Sequence, residues 1–90
     1  MSQGIIIKIS GPVLDVRFPA GAEPRINTLL VTDNSEENKL GDAHNRIACV
    51  HMEVAAHVSP EVVRCVALEA TYGLCCGTAV TDTEIGRAHV

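Results

Sequence analysis

Three groups of side chains have types and spacings that invite chemistry. Cys49, His51 and His57 stand close together in the chain, and thiolate with imidazole is a common tetrahedral ligand set for zinc. Cys49 and His51 fall on one face of an extended segment. Neither a Cys-x-x-Cys nor a His-x-x-x-His pair accompanies them to complete such a shell. Cys75 and Cys76 are adjacent, which removes the usual redox geometry of Cys-x-x-Cys. Asp33, Glu36 and Glu37 share a polar stretch that could attract a cation, yet the alternating ligand spacing and central glycine of a calcium loop are missing. The bland reading of each group is the expected one: strand-face side chains, reduced thiols and a solvated loop.

Other signatures of catalysis are absent as well. The sequence holds no G-x-x-x-x-G-K-[ST] phosphate loop, no nucleophile elbow and no histidine-glutamate metal motif. Its two lysines, Lys8 and Lys39, do not follow glycines. The residues therefore assign no catalytic, cofactor-binding or metal-ligating position. A formal net charge of −4 and a pI near 5.4, with the seven Lys and Arg scattered, argue against a nucleic-acid partner. Single-stranded nucleic acid would also need stacking aromatics, and Phe18 and Tyr72 are the only aromatic residues.

The elements that would position these side chains are short strands. Gly4 to Pro19 reads as two of them, hinged at Ser10-Gly11-Pro12. In the second, Leu14, Val16 and Phe18 point one way and Asp15 and Arg17 the other. Ile5 to Ile9 is apolar and β-branched with Lys8 its one polar side chain, as expected of a strand crowded on both sides. Prolines and glycine in Pro19 to Pro24 end the second strand. Ile26 to Thr32 is apolar again, and Asp33 to Asn45 forms a polar loop or hairpin tip.

From Ile47 to Val58 alternation resumes, with Ala48, Val50, Met52 and Val54 on one face and Cys49, His51 and Glu53 on the other. The inward set is expected to include Leu14, Val16, Phe18, Val50, Met52 and Val54. Ser59-Pro60-Glu61 makes a turn into Val62 to Leu68, and Thr78 to Thr83 begins a last strand. Helical periodicity never persists for two turns. Ninety residues, 47% hydrophobic but 2% aromatic, suit one small domain with an aliphatic core. Close-spaced strands with turn residues between them point to an all-β fold, a small closed barrel or sandwich. The four cysteines are expected as reduced thiols in or near that core, in a cytosolic setting. With no charged-then-apolar leader and no bilayer-length apolar run, neither secretion nor membrane insertion is expected.

Gly4-Ile-Ile-Ile-Lys-Ile-Ser-Gly-Pro-Val-Leu-Asp-Val-Arg-Phe-Pro19 resembles the opening of the catalytic beta subunit of F-type ATP synthases, where a glycine-led strand runs into Gly-Pro/Ala-Val-x-Asp-Val-x-Phe. Further blocks follow in the family's order. Pro24 to Val31 looks like Pro-x-Ile-x-x-x-Leu, and Met52 to Val58 like Leu-Glu-Val-x-x-His-Leu. Val62 to Thr71 looks like Val-Val-Arg-x-Ile-Ala-Leu-x-x-Thr, followed by Gly73-Leu74 and Gly77 to Val80. The alpha subunit is a weaker match, because it lacks the ending seen at Asp15 to Pro19. Tyr72 stands where the family often has Asp, and Cys76 where it commonly has Arg.

The resemblance implies a six-stranded closed β-barrel at residues 1–83, the N-terminal domain of a beta subunit. Such barrels alternate with those of alpha subunits in a hetero-hexameric ring. That ring belongs to a peripheral complex, driven by protons or sodium, on the inner (cytoplasmic) face of an energy-coupling membrane. ATP or ADP and magnesium would belong to the following domain, and none of its catalytic residues is present here. The segment Glu84 to Val90 departs from the family and resembles the translation of a sequencing adapter, so residues 84–90 are expected to be a non-native tail. The alternative to the family reading is a stand-alone small β-barrel, a binding module that takes a ligand or partner by itself.

Overall fold

The computed structural model describes residues 2–32 and 49–86. Within them lie β1 (Gln3–Ser10), β2 (Val13–Arg17), β3 (Thr28–Thr32), β4 (His51–Ser59), β5 (Val62–Ala67) and β6 (Ala79–Gly86). The strands pair antiparallel and close into a barrel in the order β1-β2-β5-β4-β3-β6, the all-β six-stranded architecture expected. No helix occurs among the described residues. Residues 33–48, on which the expected hairpin tip and the acidic group Asp33, Glu36 and Glu37 fall, lie outside them.

Side-chain alternation fills the interior. Leu14, Val16 and Phe18 from β2 and its end, and Met52 and Val54 of β4 with Val50 just before it, are all at most 3% exposed, as their spacing predicts. Register then stacks them in layers. Ile6 faces Val16, which faces Val63, and Leu14 faces Cys65, which faces Val54. Leu30 and Val80 complete the cluster from β3 and β6. Burying each such side chain contributes roughly 1.5–3 kcal/mol, so a handful of them sets the stability of a domain this small.

The two hairpins are built from different turns. Ser10 pairs with Val13, leaving Gly11 and Pro12 as the loop. Gly11 has φ +59° and proline holds φ near −65°, the sign sequence of a type II′ turn, whose twist suits the strands it joins. The Ala67 amide then donates to the Pro12 carbonyl at 2.7 Å, tying β5 to this corner. Between β4 and β5, Pro60 and Glu61 connect Ser59 to Val62, and neither has positive φ. Unprimed turns splay strands. Register shifts at Val54/Ala56 and His57/Ser59 take up the mismatch by adding local twist.

One expectation is corrected. β1 is not crowded on both sides: Ile5 and Ile7 are 44% and 39% exposed while Ile6 is buried. The barrel covers only the inner face of a strand, and a register shift between Ile6 and Lys8 sets Ile7 apart as the extra residue. The last strand, expected to begin within Thr78 to Thr83, starts at Ala79 and runs on to Gly86. After a register shift at Leu29/Leu30, Ile85 and Gly86 pair with Leu29 and Thr28. Glu84 takes φ +65° beside this shift, and its amide donates to Asp82 Oδ1 at 2.7 Å.

Closure depends on a missing side chain. Gly4 is buried on β1, and a Cβ there would lie 2.8 Å from the Arg17 carbonyl oxygen, 2.8 Å from Val16 Cγ1 and 2.9 Å from Phe18 Cε1. Phe18, the largest fully buried side chain, occupies the space that glycine leaves. Gly4→Ala is predicted to destabilise the barrel by about 1–3 kcal/mol through overpacking, read from the urea midpoint. An unchanged midpoint would mean that Gly4 does not make room for Phe18.

Candidate functional site

The outer wall carries the best-formed polar constellation. Strand register places Lys8 of β1 opposite Asp15 of β2, and Asp15 opposite Arg64 of β5. Arg64 Nε donates to Asp15 Oδ1 at 2.9 Å and its Nη2 to Oδ2 at 3.2 Å, a fork that engages both carboxylate oxygens. Lys8, Ser10, Val13, Asp15 and Arg64 line a shallow groove of about 340 Å³. The Asp15 side chain is 10% exposed although it points outward, because the guanidinium lies over it. Alternation places Asp15 on the solvent face, and the cross-strand partner then covers it.

The chemistry of this groove is electrostatic bracing. Hydrogen bonding from Arg64 holds the Asp15 carboxyl below its ordinary 3.8, against the opposing effect of burial and with help from the charges of Arg64 and Lys8. A carboxylate held as an anion, with both oxygens occupied, is a poor proton acceptor. Ser10 is the one hydroxyl lining the groove, and no histidine lines it to activate that oxygen. The bidentate pair instead cross-links β2 to β5 on the outside, where Leu14–Cys65 and Val16–Val63 join them on the inside.

The sequence-predicted candidates are dispersed. His51 Nδ1 lies 2.5 Å from Glu69 Oε2, and the same oxygen accepts from the His51 amide at 2.8 Å. These bonds from His51 hold the Glu69 carboxyl below its ordinary range. They tie the start of β4 to the segment beyond β5. His57 Nε2 donates to the Pro24 carbonyl at 2.7 Å, and the Asn27 amide donates to the Val54 carbonyl at 2.7 Å, so β4 anchors the segment that leads into β3. Among the described residues no three His, Cys, Asp or Glu side chains converge on a point that could hold a metal ion.

The cysteines require a further correction. All four are free thiols, but only Cys65 is buried, while Cys49, Cys75 and Cys76 are exposed. Burial in the core, with the Asp15 charge adding to it, pushes the Cys65 thiol up to about 12, which leaves it an unreactive packing group. Cys75 and Cys76 sit outside the strands, in the connection between β5 and β6. There Leu74, not a thiol, packs against the core.

Comparison with known families follows this geometry. The model of the ATP synthase alpha/beta family, beta-barrel domain, matches residues 6–84. The chain belongs to that family, and the barrel described above is its beta-barrel domain. Asp15 and Arg64, its two braced residues, both lie within the matched span.

Acid sensitivity should report the brace. Because the folded Asp15 titrates below 3.8, the pair's contribution is complete above about pH 4 and is lost as pH falls through the lower, folded value. Arg64→Met should lower the thermal midpoint at pH 7. It should also flatten the dependence of that midpoint on pH below 4, since the largest cause of the lowered Asp15 titration is then gone. A variant as steeply acid-sensitive as the parent would remove Asp15–Arg64 as the cause.

Proposed function

We propose that this barrel is the N-terminal domain of the catalytic beta subunit of an F-type ATP synthase, and that it serves assembly. In that role it stands between the barrels of alpha subunits in a hetero-hexameric ring, holding the catalytic domains in register. Nucleotide and magnesium belong to a following domain of such a subunit, and the barrel itself performs no chemistry. The ring is part of a peripheral complex on the cytoplasmic face of an energy-coupling membrane and works with protons or sodium ions.

The observation that carries the beta-subunit reading is the run from Asp15 to Pro19. These residues resemble the beta subunit, and they supply both the buried Phe18 and the Asp15 carboxylate that Arg64 braces. Support for a protein partner comes from the outer wall. Ile5, Ile7, Val66 and Leu68 are each about two-fifths exposed there, which gives neighbouring protein apolar surface to cover. The groove residues beside them supply polar contacts for a rim.

Sequencing the source DNA through and beyond codon 83 tests this reading. An open frame that continues from Thr83 into a phosphate loop and a nucleotide-binding domain is the predicted result, with Glu84 to Val90 absent from it. Genomic sequence that encodes Glu84 to Val90 and then stops would contradict it and leave a stand-alone barrel.

A further inference from the structure

We infer that Cys75 and Cys76 form a chelating dithiol site for a trivalent, thiophilic centre of the arsenic(III) class. Both side chains are exposed free thiols, and they occupy successive positions of one tight turn. The Thr78 amide donates to the Cys75 carbonyl at 3.2 Å, closing a turn with Cys76 and Gly77 at its centre. Gly77 has φ +97° and open space where a Cβ would be, so no side chain flanks Cys76 on that side. The turn is held from below: the Gly77 amide donates to the Ile6 carbonyl at 2.7 Å, and the Ile6 amide to the Thr78 carbonyl at 3.0 Å. A turn hydrogen-bonded to β1 thus carries two adjacent, exposed thiols.

Adjacency selects the ligand. Neighbouring α-carbons are ~3.8 Å apart, short of the roughly 4.4–6.8 Å that disulfides span, so the pair is better suited to sharing a third atom than to bonding to itself. A pyramidal arsenic(III) centre takes two sulfurs on the same side. A two-coordinate copper(I) ion prefers its thiolates on opposite sides, and a zinc ion needs further ligands. Among the described residues none stands ready to supply them. Cys75 Sγ already lies 3.8 Å from the Gly73 carbonyl oxygen, a weak contact that ligation can replace.

With an aryl arsenoxide the step balances without redox. Two arsenic–sulfur bonds form, the arsenic–oxygen bond breaks, and the two thiol protons leave with that oxygen as water. Arsenic remains trivalent throughout. Cys65 takes no part, being buried in the core, and Cys49 stands in a different segment, before β4.

Phenylarsine oxide added to the purified chain in excess 2-mercaptoethanol, followed by intact-mass measurement, tests the site. One aryl-arsenic adduct per chain is expected, reversed by 1,2-ethanedithiol, retained in Cys49→Ser and lost in both Cys75→Ser and Cys76→Ser. Amide shifts on binding should centre on residues 71–78 and on Ile6. An adduct that survives in either single variant at residue 75 or 76, one that requires Cys49, or no adduct on the parent chain would overturn the assignment.

Discussion

The barrel rests on a steric constraint at its seam. Six short strands enclose too little space for every inward position to carry a side chain. Phe18 enters the interior only because Gly4, opposite the end of β2, has none. From that fit follow the layers Ile6–Val16–Val63 and Leu14–Cys65–Val54, which set the register of β1, β2, β5 and β4 together. A one-residue slip in any of these strands would turn its apolar set outward. Closure then removes the free edges that an open sheet would offer for aggregation.

The outer wall answers to different demands. Its polar part is braced by Asp15 and Arg64, a pair with a nearly covered carboxylate and a half-exposed guanidinium, stabilising through geometry and hydrogen bonding more than through long-range charge. Its apolar part, including Ile5 and Ile7, contributes nothing to the interior. In the proposed assembly, where such barrels stand side by side in a ring, this division supplies stability from the inside and contact from the outside. The histidines act as braces too: His57 supports the segment before β3 and His51 the end of the β4–β5 hairpin.

Strand faces were legible because alternation is local. Leu14, Val16 and Phe18, and Val50, Met52 and Val54, are buried as their spacing requires, and Gly11-Pro12 makes the corner its residue types favour. What needed register was hidden. Asp15 reads as a solvent-facing charge until Arg64, 49 positions away, is laid across it. The bulge at Ile7 and the extension of β6 to Gly86 are likewise decided by partners on other strands. Apolar character misled for the thiols and for β1, since a small barrel has one interior face per strand and connections between strands stay outside it. Of the candidate site, the opposite charges on the β2 and β5 faces were visible, but their pairing was not.

The account is most directly tested by native-state amide hydrogen exchange on the isolated chain, resolved by residue. A closed barrel predicts that the ladder amides joining β6 to β1, at Gly4–Val80, and β6 to β3, at Leu30–Asp82, exchange as slowly as those joining β2 to β5. All would then open only with global unfolding. Fast exchange along β6, with protection kept in β2, β4 and β5, would show an open sheet and contradict a fold closed around Gly4 and Phe18.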